Sequence, residues 1–160
     1  MEYIELFQGL NQHKVKYLVC GGLAVNIYGI PRMTADIDLL LDFTEENLTH
    51  FETAVKILMF QQSLPISIKT FVNKEERKKA ISEKSLIAYS YYNSLAGYMN
   101  LHVLIDVPFD FEQLWNQKSA RKIKDVEINL VSVEDLIGLK KYANRLQDRQ
   151  DILLLSRLLK

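Results

Sequence analysis

The chain has 160 residues, and its twenty Lys and Arg balance twenty Asp and Glu, so the formal charge is zero. An apolar fraction of 48% and a charged fraction of 25% are ordinary globular values, which exclude a disordered chain, a collagen-like chain and a disulfide scaffold. Zero net charge also excludes a global basic field for nucleic acid, so any phosphate binding must be local.

The start, Met1-Glu2-Tyr3-Ile4-Glu5, is acidic and lacks the basic, then apolar pattern of a signal peptide. Residues 3–12 read as a short helix carrying Ile4, Leu6, Phe7 and Leu10. Val15–Cys20 is a compact apolar run ended by Gly21-Gly22, which fits a buried strand feeding a tight turn. Cys20 is the single cysteine, so no internal disulfide and no multi-thiolate zinc site can form. Leu23–Tyr28 reads as a short helix closed by Gly29. Ala35–Phe43 is a second strand, with Asp36 and Asp38 set among apolar residues. Thr44 is placed to cap a helix whose apolar face holds Leu48, Phe51, Val55, Leu58 and Met59. Asn73 has capping-box spacing with Glu76 and starts a polar helix of about ten residues.

Ser85–Tyr92 and Met99–Val107 read as strands joined through Asn93–Gly97. Phe111–Ala120 reads as a helix and Ile123–Val131 as an alternating strand. Ser132 caps a helix with Leu136, Ile137, Leu139, Tyr142 and Ala143, and Asp148–Leu159 forms a last amphipathic helix. No run approaches the ~18 apolar residues of a membrane span, so a soluble, cytoplasmic protein is expected. The pattern predicts an α+β fold: a mixed sheet flanked by helices, with C-terminal helices, as one domain over residues 1–160.

Chemistry concentrates in Gly21–Asp38. Asp36 and Asp38 are two apart on a strand, so their carboxylates share one face. Adjacent anions beside a core strand repel, and a divalent cation offsets that repulsion; a solvated strand edge is the other explanation. Gly21 and Gly22 let the backbone approach a ligand, and the helix start offers N–H groups to a phosphate, although a tight turn alone would need them too. Arg32 and Thr34 stand ready to contact a triphosphate, or Arg32 pairs internally with Asp36 or Asp38. Tyr89, Tyr91 and Tyr92 either stack a base or pack the sheet. Lys74, Arg77, Lys78 and Lys79 form a small basic patch or a solvated helix face. His13, His50 and His102 show no zinc-like spacing.

Gly21-Gly22, a short helix, then Arg32-x-Thr34-x-Asp36-x-Asp38 followed by Leu39-Leu40 resembles the nucleotidyltransferase superfamily with the DNA-polymerase-β-like fold. It is most similar to the AbiEii-type toxin nucleotidyltransferases. The stretch Ser132–Lys140, with Ala143, Arg145, Asp148 and Asp151, resembles the helix that follows the catalytic sheet in that group. The resemblance implies a third carboxylate from a later strand, here Asp106, converging with Asp36 and Asp38 on Mg²⁺ or Mn²⁺. It implies that Gly21, Gly22, Arg32, Thr34 and Lys140 bind the nucleotide. The expected reaction moves a nucleoside monophosphate from a nucleoside triphosphate to an acceptor hydroxyl on RNA, protein or a small molecule. A toxin–antitoxin role, with a partner chain or a homodimer, goes with it. The competing expectation is a non-catalytic nucleotide-binding or regulatory module of the same fold.

Overall fold

The computed structural model describes residues 3–93 and 100–160. Helix α1 spans Tyr3–Gln12, β1 Tyr17–Cys20, α2 Gly21–Ile27, β2 Asp36–Leu41 and α3 Glu45–Ile57. Then come β3 (Gln61–Gln62), a 3-10 turn (Ile68–Val72), α4 (Lys74–Lys84), β4 (Ala88–Tyr92) and β5 (Asn100–Leu104). The chain continues with α5 (Phe111–Asn116), β6 (Ser119–Ile123), β7 (Val126–Leu130), α6 (Val133–Ala143) and α7 (Leu146–Ser156). Met99 and most of the expected Asn93–Gly97 connection lie outside the described residues.

The seven strands form one mixed sheet in the order β3-β4-β5-β2-β1-β7-β6. β2 runs antiparallel to β1 and parallel to β5, while β1 and β7 are parallel. The α+β, mixed-sheet expectation therefore holds.

Strand alternation sorts the two faces. Tyr17 and Val19 pair with Leu41 and Leu39, so these four side chains share a face with Ile37, Leu101 and Val103. α1 and α3 cover that face: Phe7 stacks on Tyr17 at 5.6 Å, and Phe51 meets Tyr91 edge-on at 5.5 Å. Tyr89 and Tyr91 are core residues here, and only Tyr92 of the three is exposed. The opposite face carries Leu18, Cys20, Asp36, Asp38, Asn100 and His102, beside α2 and α6. All four β1 residues are buried, as a strand covered on both sides must be.

Caps form where the sequence places them. Thr44 accepts from the Asn47 amide, Asn73 from Glu75 and Glu76, and Ser132 from Asp135. The basic patch on α4 divides: Lys78 and Lys79 pair with Glu75 and Glu76, while Arg77 turns inward over Phe43. Two expectations need correction. The helix at Phe111 ends at Asn116, and residues 119–120 already belong to β6. The expected strand Ile123–Val131 is the end of one hairpin arm and the whole of the other. Lys124 and Asp125 turn it with φ of 46° and 66°, the mirror-image turn that suits a tight hairpin. Among the described residues, no helix is long and apolar enough to cross a membrane.

Candidate active site

β1 ends at Cys20 and the chain turns into α2 through Gly21, whose φ is +64°. A β-carbon at Gly21 would lie 1.9 Å from Asp38 Oδ2. One at Gly22 would lie 2.7 Å from Thr34 Oγ1 and 3.0 Å from the Arg32 guanidinium carbon. Both glycines are therefore required: the first by conformation and close approach, the second because the 32–34 loop lies against it. Asn26 Oδ1 accepts from the Arg32 amide at 2.8 Å and pins that loop to α2.

Asp36 and Asp38 share a face of β2, as expected, and both are half-buried. Thr34 Oγ1 donates to the Asp36 carbonyl, and Asn100 Nδ2 donates to Asp36 Oδ1 at 3.1 Å. His102 Nδ1 lies 3.5 Å from Asp38 Oδ1. The Asp38 contact raises the imidazole pKa above its usual value, with burial opposing. Cys20 donates to the Asp38 carbonyl; burial, then the Asp38 charge, pushes its thiol up, so it is not a nucleophile.

Asp38 opens into a cleft of about 470 Å³. Gly21, Asp106, Lys140 and Arg145 are among its polar and charged lining, and Ile87, Leu104, Leu139 and Tyr142 among its apolar and aromatic lining. Tyr142 donates to Asp106 Oδ1 at 2.9 Å. Asp38 and Asp106 thus share a cleft, but they do not form one cluster with Asp36. Among the described residues, no three His, Cys, Asp or Glu side chains gather to hold a metal. His102, not Asp106, stands opposite Asp38 in the strand register, and Asp106 lies two residues beyond the end of β5.

The expected phosphate contacts also sit differently. Lys140 is 3% exposed, with Nζ 2.6 Å from Asp151 and 3.3 Å from Asp148. Arg32 pairs with Asp151 rather than with Asp36 or Asp38. Arg145 donates to Asp148 at 2.9 Å, yet its side chain is 70% exposed at the cleft. Three cations meet two carboxylates, so the network keeps one positive charge, and Arg145 is its exposed member. His102, Tyr142 and Arg145 are site residues that sequence reasoning did not single out. A β5 register counted from Asp38 would have found His102.

The family model described as nucleotidyl transferase AbiEii toxin, type IV toxin–antitoxin system, matches residues 6–152. No curated protein matches the sequence. Solved structures share the fold. The lincomycin-bound lincosamide antibiotic adenylyltransferase LnuA is 15% identical, with a TM-score of 0.61 over 98% of this chain and 96% of that one. ANT(2")-Ia in complex with adenylyl-2"-tobramycin is 14% identical, with a TM-score of 0.60 over 100% and 91%. An antigenic nucleotidyltransferase-like protein from Paracoccidioides brasiliensis is 20% identical, with a TM-score of 0.56 over 97% and 73%.

Proposed function

The chain belongs to the AbiEii nucleotidyltransferase toxin family, whose reaction moves a nucleoside monophosphate from a nucleoside triphosphate to an acceptor, and we propose that the Gly21–Asp38 cleft is where it does so. The observation that carries this reading is the contact of a glycine turn with a strand carboxylate at the mouth of a cleft that holds a surplus cation.

Asp36 and Asp38 fit a hard divalent cation. Both donors are oxygen, they share one face, and Gly21 lacks the β-carbon that would displace Asp38. Two carboxylates leave the remaining positions to water and substrate phosphates, which is the usual way Mg²⁺ is held. When bound, Mg²⁺ or Mn²⁺ neutralises triphosphate charge in the transition state. Gly21 and Gly22 let the backbone come close to the phosphates. Thr34 sits at their edge, and Arg145 supplies the exposed positive charge. Lys140 and Arg32 fix Asp148 and Asp151, and through them the position of Arg145. The acceptor oxygen bonds to the α-phosphorus, the α–β bridging bond breaks, and pyrophosphate leaves. Asp106, in the same cleft, is the candidate to take the hydroxyl proton.

The single sheet and the one core cluster running from Ile4 to Leu155 support residues 1–160 as one working domain. A cytoplasmic setting is proposed, and the lone thiol of Cys20 is compatible with a reducing compartment. An antitoxin chain is the proposed partner, on the strength of the family.

Transfer of label from α-³²P nucleoside triphosphates, with RNA and cell extract as acceptors, tests this reading. Asp38→Asn is expected to lower transfer more than about 100-fold with the melting temperature kept. Transfer by Asp38→Asn at the wild-type rate would sink the assignment of the site. Nucleotide binding without turnover across the acceptors would favour the non-catalytic module.

A further inference from the structure

β2 and β5 run parallel, and their register puts Asn100 opposite Asp36 and His102 opposite Asp38. Adjacent strands lie about 4.8 Å apart, so these two positions are where a neighbouring strand meets the carboxylates directly. Both are filled by nitrogen-bearing side chains. Asn100 Nδ2 donates to Asp36 Oδ1 at 3.1 Å, and His102 Nδ1 lies 3.5 Å from Asp38 Oδ1. The flanking β5 residues, Leu101 and Val103, point into the opposite core and are fully buried. Ser90 on β4 stands opposite His102 and extends the polar row. The nearest further carboxylate on this segment, Asp106, lies beyond the end of β5 and is engaged by Tyr142.

We propose that Asn100 and His102 are positioning residues that stand where a third acidic ligand would complete the metal cluster, so that the site holds a divalent cation weakly alone and takes it up together with a nucleoside triphosphate. This rests on Asp36 and Asp38 being the metal-binding pair. Two carboxylates supply two of the six oxygens that Mg²⁺ requires, and the phosphates supply anionic oxygens that β5 does not. The nitrogen partners relieve the repulsion between the two carboxylates, so the empty site is stable without a cation. Each partner occupies one oxygen of its carboxylate and orients the other, which is the work of an outer-shell residue.

Mn²⁺ binding to the full chain, read by electron paramagnetic resonance with and without a non-hydrolysable triphosphate, tests the proposal. Wild-type protein is expected to bind Mn²⁺ at least about tenfold more tightly with the analogue present. His102→Asp, which builds a third carboxylate opposite Asp38, is expected to tighten nucleotide-free Mn²⁺ binding by about tenfold or more. Asn100→Asp does the same beside Asp36 and serves as an independent variant should the first fail to fold. His102→Gln, which keeps a donor, is expected to retain kcat within about threefold, whereas His102→Ala lowers it about tenfold with the melting temperature held. Equal Mn²⁺ affinity with and without the analogue overturns the proposal. So does failure of both acidic variants to tighten binding. Asp38→Asn separates the two levels: unchanged Mn²⁺–analogue binding in that variant would mean the metal site itself lies elsewhere.

Discussion

At Gly21 the backbone φ is +64°, and Asp38 Oδ2 occupies the space a methyl group would fill. Gly21→Ala therefore meets two penalties of different kinds. The left-handed conformation costs about 1–3 kcal/mol for a residue with a side chain. The 1.9 Å overlap with Asp38 Oδ2 yields by rotating the carboxylate away, whereas the 2.9 Å approach to Asp38 Cβ is relieved only by a small shift of backbone. The expected outcome is a modest drop in melting temperature with transfer lowered about 100-fold. A variant that loses neither would show that Asp38 need not sit against the turn. The pairing of Gly21-Gly22 with Asp36-x-Asp38 was legible in the sequence because both halves are local. The partner of Asp38 was not, because His102 lies 64 residues away and meets it through strand register alone.

At the scale of elements, α7 is held to α6 by buried charge. Asp148 is 1% exposed and sits at the third residue of α7, where it accepts from both the backbone and the side chain of Arg145. Burial alone would raise its pKa. The Arg145 hydrogen bonds and the Lys140 charge outweigh that and leave the carboxyl below its ordinary value of 3.8. A carboxyl with a depressed folded-state pKa adds stability that is complete above the unfolded value and is lost as pH falls through the folded one. The melting temperature should thus lose this contribution only below about pH 3.8, and Asp148→Asn should flatten that acid limb. An acid limb as steep in the variant as in the wild type would remove Asp148 from the account. That Asp148 anchors a network reaching Arg32 depended on how α6 and α7 pack. Element ends were legible where a side chain caps them, as at Thr44, Asn73 and Ser132. The β6–β7 turn was not, because Lys124-Asp125 adopts positive φ without the glycine or asparagine that usually announces it. Two-residue β3, exposed at Gln61 and Gln62, carries no apolar pattern at all.

Across the whole molecule, the site lies on the central strands β1, β2 and β5, and the edges β3 and β6 are exposed. Amide exchange should follow that layout: slowest at Leu18–Val19, Leu39–Leu40 and Leu101–Val103, fastest at Gln61–Gln62 and Arg121–Lys122. Exchange at β2 as fast as at β6 would contradict a site built on the rigid centre of the sheet. By itself the sequence determined the mixed α+β architecture, the glycine turn and the carboxylate pair, because each is written in neighbouring residues through periodicity, turn chemistry and strand alternation. Only the tertiary structure decided which side chains face that pair. It put His102 opposite Asp38, buried Lys140 against Asp148 and Asp151, paired Arg32 with Asp151, and left Arg145 exposed at the cleft. Those choices depend on strand register and helix packing between residues far apart in the chain, and one face of a sheet is assembled from strands whose order no local pattern encodes.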